Sequence, residues 1–492
     1  MMDLTPLTHR DAAWGALRVL VAGIGVSGFA AADALLERGA RVVVTDAREG
    51  TGERERAQVL TILGADVRLG AEPDPALLDG LDLVVTSPGW RPEHPVLAGA
   101  ARSGIPVWGE VELAWRMRPG EGAAPWLTVT GTNGKTTTVQ MLEAILRAEG
   151  LRAVAAGNVG LPLLEAVLHP DPYDVIAVEL SSFQLHWSES ISAQASACLN
   201  VAPDHVDWHG SLDAYTRNKG QVYEQTRIAC VYNVADPVTE QLVREADVVE
   251  GCRAIGFTLG TPAVGMLGVV DDILCDRAFV EERRTSAAEL ATLADLSGPA
   301  STAPPAHTVA NALAAAALAR AHGVSPRAVR DGLRGFTPGA HRIALVGEAA
   351  GVRYVDDSKA TNPHAAAASL AAFDSVVWVA GGLLKGAEVD DLVRDHARRL
   401  RAVVLLGQDR AVIARALARH APDVPVVDVT STDTDVMDRV VRAAAGLARP
   451  GDVVLLAPAA ASMDLFRDYG ARGDAFADAV RRVAQQPGQA DG

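Results

Sequence analysis

Short apolar runs alternate with helical patterns along the chain, and most runs stop at Gly, Ser, Thr, Asn or Asp. Runs bounded this way read as buried strands, and stretches with a 3.6-residue period read as helices. In the first segment Val19 to Ala22 predicts a strand, Gly23 to Gly28 a turn and Phe29 to Glu37 a helix. Val42 to Thr45 predicts a second strand, ending at Asp46, and Leu81 to Val85 a third, followed by Thr86-Ser87-Pro88-Gly89. A charged stretch, Glu110-Val111-Glu112, precedes the Pro/Gly-rich Arg118 to Gly122, which reads as a linker closing a first domain at 1–118.

The second segment opens with a strand over Leu127 to Val129, a turn through Gly131-Thr132-Asn133-Gly134, and a helix from Lys135 through Met141, Leu142, Ile145 and Leu146. Asp174 to Val178 predicts a strand ending in Glu179, and Ala197 to Val201 another, opening into a loop with Asp204, His205, Asp207 and His209. Tyr215 to Lys219 has a helical pattern. Residues 258–306 read as surface loops or edge strands, with a Ser/Ala/Pro-rich loop at Gly298 to Pro305. His307 to Ala321 predicts an Ala-rich helix carrying Asn311. A third domain, 338–492, follows the middle one at 119–337. Its expected strands are Arg353–Val355, Val376–Ala380, Ala402–Leu406, Val424–Val429 and Val453–Ala457, separated by helices. That alternation predicts an α/β fold with a parallel sheet.

Composition narrows the classes. With 492 residues and 49% hydrophobic positions the chain can bury several cores. A net charge of −16 disfavours generic binding to nucleic acid or anionic membrane, so an anionic ligand needs local basic groups. Cys198, Cys230, Cys252 and Cys275 lack metal-site spacing and read as small buried hydrophobes of a reducing compartment. The N-terminus has no signal-peptide core, and no purely apolar run reaches the ~18 residues of a membrane span. The expectation is a soluble cytoplasmic protein.

Three patterns carry chemistry. A strand feeding Gly131 to Gly134 at a helix N-terminus aims backbone N–H groups and the helix dipole at an anion. Lys135 can reach outer phosphates and Thr136 can ligate Mg²⁺, which makes ATP with Mg²⁺ the expected ligand. The general phosphate loop has a Gly where Val129 stands, so this loop is a variant. The turn Gly23-Ile24-Gly25-Val26-Ser27-Gly28, with Asp46 downstream, fits the dinucleotide fingerprint and by itself argues for NAD; any nucleotide diphosphate fits the same turn. In the third segment, polar loops at Asp357 to Pro363, Gly381 to Gly386 and Pro458 to Asp464 follow strands, where such sheets bind ligands.

TGTNGKTT, ELSSFQL, NVAPDH, DSKATNP and APAAASMDLF together resemble the Mur ligases of peptidoglycan synthesis, over nearly the whole chain. DSKATNP with SMDLF is similar to the D-glutamate-adding branch. The resemblance implies three α/β domains: a Rossmann-like N-terminal domain for the UDP-sugar, a central P-loop ATPase-like domain and a C-terminal Rossmann-like domain for the amino acid. It implies ATP-dependent ligation of D-glutamate to UDP-N-acetylmuramoyl-L-alanine by a monomer. Val26, Ser27, Asp46, Arg48, Ser87 and Gly89 would hold the UDP moiety, and Asn158 and Ser181 the muramoyl-alanine end. Gly131, Thr132, Asn133, Gly134, Lys135, Thr136 and Thr137 would hold the ATP phosphates, with Asn311, Arg342 and Asp357 nearer the rest of ATP. Thr136 and Glu179 resemble ligands of one Mg²⁺ and His205 of a second. Lys219 matches a Tyr-x-x-x-Lys lysine that CO₂ carbamylates, making it an anionic oxygen donor. Lys135, Glu179, His205 and Lys219 are thus the implied catalytic set. Lys359, Thr361, Lys385, Ser462 and Tyr469 would take D-glutamate.

The chain departs from the family's habits at Thr308, Trp208 and Tyr469, where Asn, Arg and Phe are usual. The alternatives are a lysine- or diaminopimelate-adding ligase on the same scaffold, and an NAD-dependent oxidoreductase using the first turn.

Overall fold

The computed structural model describes residues 3–72, 74–297, 304–337, 339–431, 433 and 435–485. The chain forms two compact units. One comprises Met1–Val201, His205–Thr292 and Asn311–Phe336, the other Ala202–Asp204, Leu293–Ala310 and Thr337–Gly492.

The first unit carries two sheets. β1 (Arg18–Ala22), β2 (Arg41–Asp46), β3 (Asp66–Leu69), β4 (Leu83–Thr86) and β5 (Val107–Gly109) form a parallel sheet in the order 3-2-1-4-5. β6 (Trp126–Thr130), β7 (Ala153–Gly157), β8 (Val175–Glu179), β9 (Ala195–Cys198), β10 (Ala229–Asn233), β11 (Arg253–Phe257), β12 (Met266–Val270), β13 (Ile273–Asp276) and β14 (Ala288–Thr292) form a second sheet. Its order is 14-13-12-11-10-9-6-8-7, parallel except for the antiparallel edge β12-β13-β14. β6 and β8 are buried at every residue, as both faces of a parallel strand under crossover helices must be.

The second unit holds β15 (Ala344–Ala349), β16 (Val352–Asp356), β17 (Val376–Gly381), β18 (Leu400–Leu406), β19 (Val426–Asp428) and β20 (Val453–Leu456), ordered 15-16-20-17-18-19. Only the β15–β16 pairing is antiparallel. Two apolar layers sandwich this sheet, one around Trp378, Leu392 and Ile413, the other around Val440, Phe476 and Val480.

Several expectations are corrected. The first helix begins at Val26, not Phe29, because Gly25 already caps it in extended conformation. β9 stops at Cys198 rather than Val201: beyond it the chain bonds to the phosphate loop and to Asp236 instead of continuing the ladder. β15 was absent from the expected strands, since its bulged, mixed sequence sits half-buried at an edge. The charged Glu110-Val111-Glu112 lies inside a helix, Glu110–Arg116, with Glu110 2% and Glu112 0% exposed. Cys198 and Cys230 are buried as expected, but Cys252 and Cys275 are half-buried; all four are free thiols. The edge strands expected within 258–306 are β12, β13 and β14. The loop at Gly298 to Pro305 lies outside the described residues over 298–303, as does Pro338 at the start of the third segment.

Candidate active site

At the carboxyl edge of the first sheet, Asp46 closes the glycine turn. Its Oδ2 accepts from Ile24 N (3.0 Å), its Oδ1 from Arg48 N (2.9 Å), and the Arg48 guanidinium reaches both oxygens at 3.2 and 3.0 Å. Burial raises the Asp46 carboxyl's pKa, yet the Arg48 and Ile24 donors outweigh it and hold it below the ordinary range. Gly28 is required there, since a Cβ would overlap the Gly23 carbonyl oxygen. Ser87 Oγ donates to that same oxygen at 3.4 Å. Val26 is exposed and Ser27 half-buried beside them, and Gly89 follows on the loop after β4. The turn therefore places exposed Val26 and half-buried Gly25 and Ser27 beside the Asp46–Arg48 pair.

In the nine-stranded sheet, β6 lies between β8 and β9, so the loops after these strands meet. After β6, Gly134 caps the helix Lys135–Ala148 at φ +86°, with no side-chain cap hydrogen bond. The helix's first N–H groups have no intrahelical acceptor, which suits an anion. Asn200 braces the loop: its carbonyl accepts from Thr132 N (2.9 Å), its Oδ1 from Asn133 N (2.9 Å), and its Nδ2 donates to Asn133 O (3.1 Å). Lys135 Nζ folds back onto the carbonyls of Gly131 (2.8 Å) and Thr132 (3.0 Å). Thr136 is buried at the helix start, and the buried Asn311 amide packs against Gly134 so closely that a Cβ there would overlap its Oδ1.

Glu179, at the end of β8 and 2% exposed, accepts from Asn158 Nδ2 at 2.9 Å, and Asn158 N donates to the Glu179 carbonyl at 2.9 Å. Ser181 caps the helix Ser182–His186 in a reciprocal box with Gln184. Lys219, on the helix Leu212–Gly220, is 1% exposed; its Nζ donates to Gly131 O (2.9 Å) and sits 4.6 Å from the Tyr215 ring centre. The Tyr215 hydroxyl shares a hydrogen bond with Thr132 Oγ1 at 2.9 Å. His205 adopts φ 51° ahead of the helix Val206–His209, its ring against Phe183 at 4.8 Å. His209, at the helix's other end, is pushed down to about 4 by burial and by His186, His205 and Lys219, so it is neutral.

Lys135, Thr136, Asn311 and Lys219 thus gather on the phosphate loop, while Glu179 and Asn158 pair with each other. Asn200, which opens NVAPDH and was expected within a strand, and Tyr215, the Tyr of the Tyr-x-x-x-Lys match, were not among the expected site residues, yet both hydrogen-bond to the phosphate loop. Glu179 and Thr136 are hard oxygen donors of the kind a divalent cation takes. No group of three His, Cys, Asp or Glu stands at metal-holding distance among the described residues. A cation here would complete its shell from hydroxyl, water and phosphate oxygens.

In the second unit, three loops follow β16, β17 and β20. Asp357 is buried, and burial with the neighbouring Asp356 pushes it up to about 6 against hydrogen bonds from Ser369 and Ile343 N and the charge of Arg342. Lys359 Nζ lies 4.0 Å over the Tyr469 ring, and Thr361 N donates to Lys359 O at 2.8 Å. Leu383 and Ala461 exchange backbone hydrogen bonds at 2.9 Å, which brings the loop of Lys385 beside buried Ser462. Lys385 itself is exposed, at φ 53°. Lys359, Thr361, Ser462 and Tyr469 therefore share one sheet edge with Lys385.

The sequence matches the Mur ligase MurD-like N-terminal domain over residues 17–109, the Mur ligase middle domain over 129–319 and the Mur ligase glutamate ligase domain over 341–460. The chain belongs to the Mur ligase family. A relative from Streptomyces avermitilis, named UDP-N-acetylmuramoylalanine–D-glutamate ligase, is 62% identical over 95% of this chain and 98% of its own. One of the same name from Mycolicibacterium smegmatis is 48% identical over 97% and 98%. Among solved structures, UDP-N-acetylmuramate-alanine ligase MurC from Thermotoga maritima shares the fold at TM-score 0.56 and 17% identity, over 96% of this chain and all of that one. No helix among the described residues is long and apolar enough to cross a membrane.

Proposed function

We propose that this chain joins D-glutamate to UDP-N-acetylmuramoyl-L-alanine, using ATP and forming an acyl phosphate on the way, in cytoplasmic peptidoglycan precursor synthesis. The observation that carries the reading is Lys219 buried against the Gly131 carbonyl of a phosphate-type loop, in a chain 62% identical to a ligase named for these substrates. Relatives with that name over nearly full length leave the NAD-dependent reading without support.

A carboxylate is a poor electrophile, so amide formation needs an activated acyl group. Lys135 leaves its loop carbonyls for the outer phosphates, neutralising charge as the alanyl carboxylate attacks the γ-phosphorus and ADP departs. Mg²⁺, held by Thr136 and Glu179 with His205 serving a second ion, would supply further charge neutralisation on the phosphates. Lys219 Nζ gives up one proton to become a neutral amine, then adds to CO₂ and releases a second, so a buried cation becomes a carbamate oxygen donor. Asn158 and Ser181 orient the muramoyl-alanine end, and Val26, Ser27, Asp46, Arg48, Ser87 and Gly89 hold the UDP. Asn311, Arg342 and Asp357 contact the remainder of ATP. Lys359 and Lys385 suit the two carboxylates of D-glutamate, with Thr361, Ser462 and Tyr469 fixing its position. The amine then attacks the acyl carbon and phosphate leaves. We assign 1–118 to the sugar nucleotide, 119–337 to ATP and 338–492 to the amino acid, in a monomer.

The test is phosphate release from ATP, Mg²⁺ and UDP-N-acetylmuramoyl-L-alanine, with D-glutamate, L-lysine or meso-diaminopimelate in parallel. Release with D-glutamate alone is expected. Release with another amino acid instead would overturn the assignment of the second unit's loops, and release with none would overturn the reaction.

A further inference from the structure

The second unit buries a guanidinium that the reaction as proposed does not use. Arg472, in the helix Tyr469–Ala484, is 1% exposed. Its Nε donates to Ser358 Oγ (2.9 Å), its Nη2 to Ser358 O (2.9 Å) and its Nη1 to Ala460 O (3.1 Å). Ser358 Oγ in turn donates to Tyr469 O at 2.8 Å. The three acceptors are two carbonyls and a hydroxyl, not a carboxylate, so the fork is spent on main-chain geometry rather than on an ion pair. Burial lowers the guanidinium's pKa to about 10 while Asp464 and Asp356 raise it, and the group stays cationic at neutral pH. Gly473 follows Arg472, and a Cβ there would overlap the His341 ring, which is hydrogen-bonded at 2.6 Å to Asp356, two residues before Ser358.

The segments tied by this fork carry Lys359 and Thr361, then Ser462, then Tyr469. We propose that Arg472 is a positioning residue for the amino-acid substrate, its guanidinium locking the 357–361 loop and the 458–462 loop to the start of the helix that bears Tyr469. The inference rests on the D-glutamate reading for the identity of the substrate, and on the geometry alone for the locking. A lysine cannot replace the fork, because one ammonium on a flexible stem does not reproduce three planar donors aimed at two separate loops.

The experiment pairs steady-state kinetics of Arg472→Lys and Ser358→Ala with hydrogen–deuterium exchange of the substrate-free full chain. For Arg472→Lys, the KM for D-glutamate should rise about tenfold or more, given the usual worth of hydrogen bonds from a charged group. The KM values for ATP and the UDP-sugar should hold within about twofold, and exchange should accelerate in both loops. Ser358→Ala, which leaves the guanidinium in place, should show the same pattern at about threefold and keeps the test open if Arg472→Lys does not fold. A uniform rise in all three KM values, or unchanged exchange in the two loops, would overturn the proposal. A wild-type chain inert to D-glutamate whose variants still loosen both loops would sink the activity reading and leave the lock standing.

Discussion

Replacing Glu110 with Gln isolates one buried charge. Glu110 opens the helix after β5, is 2% exposed, and accepts from Leu164 N at 2.8 Å, with Leu163 N a second donor, at the start of the helix Leu163–Val167. Burial pushes its carboxyl from the ordinary 4.5 up to about 7, with Glu165 adding repulsion; the two N–H groups oppose this without reversing it. The native state thus keeps a proton that the unfolded chain has released. Because the folded pKa is raised, the contribution to stability is complete below pH 4.5, falls as pH rises, and levels off above about 7. At ~1.4 kcal/mol per pH unit, that gap amounts to about 3 kcal/mol. Gln keeps a carbonyl oxygen for Leu164 N and has no charge to bury. The stability of Glu110→Gln relative to wild type should therefore climb by ~1.4 kcal/mol per unit between pH 4.5 and 7 and stay flat beyond. Every other titrating group is common to both proteins and cancels in the difference. Urea unfolding at pH 5, 6, 7 and 8, followed by tryptophan fluorescence, reads the transition: Trp115 on this helix and Trp108 on the strand before it both pack in the core. A difference that is constant with pH, or that shrinks as pH rises, would refute the reasoning.

Two further outcomes bear on the phosphate loop. Gly134→Ala should weaken ATP binding about tenfold or more, since an L-residue at φ +86° is strained and its Cβ displaces Asn311; titration with a non-hydrolysable ATP analogue reads this. If Lys219 acts as the proposed carbamate, Lys219→Ala should lose about 100-fold or more in D-glutamate-dependent phosphate release and recover part of it with a short added carboxylate, which would replace the proposed oxygen donor. Full activity without the additive would remove Lys219 from the mechanism.

The alternation of apolar runs determined the α/β class and central strands such as β1, β4, β6, β8, β17, β18 and β20, because a parallel strand buried on both faces has to be continuously apolar, while β3, β5, β7, β10, β11 and β15 were not among the expected strands. Gly134 before Lys135-Thr136, and the Gly23–Gly28 turn before Asp46, were legible for a similar reason: few residue types satisfy a left-handed cap or a close backbone approach. What the sequence could not reveal is which polar residues are turned inward. Glu110 and Glu112 read only as a charged stretch and are buried, Asn200 read as part of a strand and braces the phosphate loop, and Arg472, which no motif singled out, is buried with its guanidinium on two loops. Each owes its role to a partner distant in the chain: Leu164 for Glu110, Asn133 for Asn200, Ser358 for Arg472. A buried polar group is stable only if its hydrogen bonds are met, and those partners are assembled by the packing of whole elements, so only the tertiary structure could decide them.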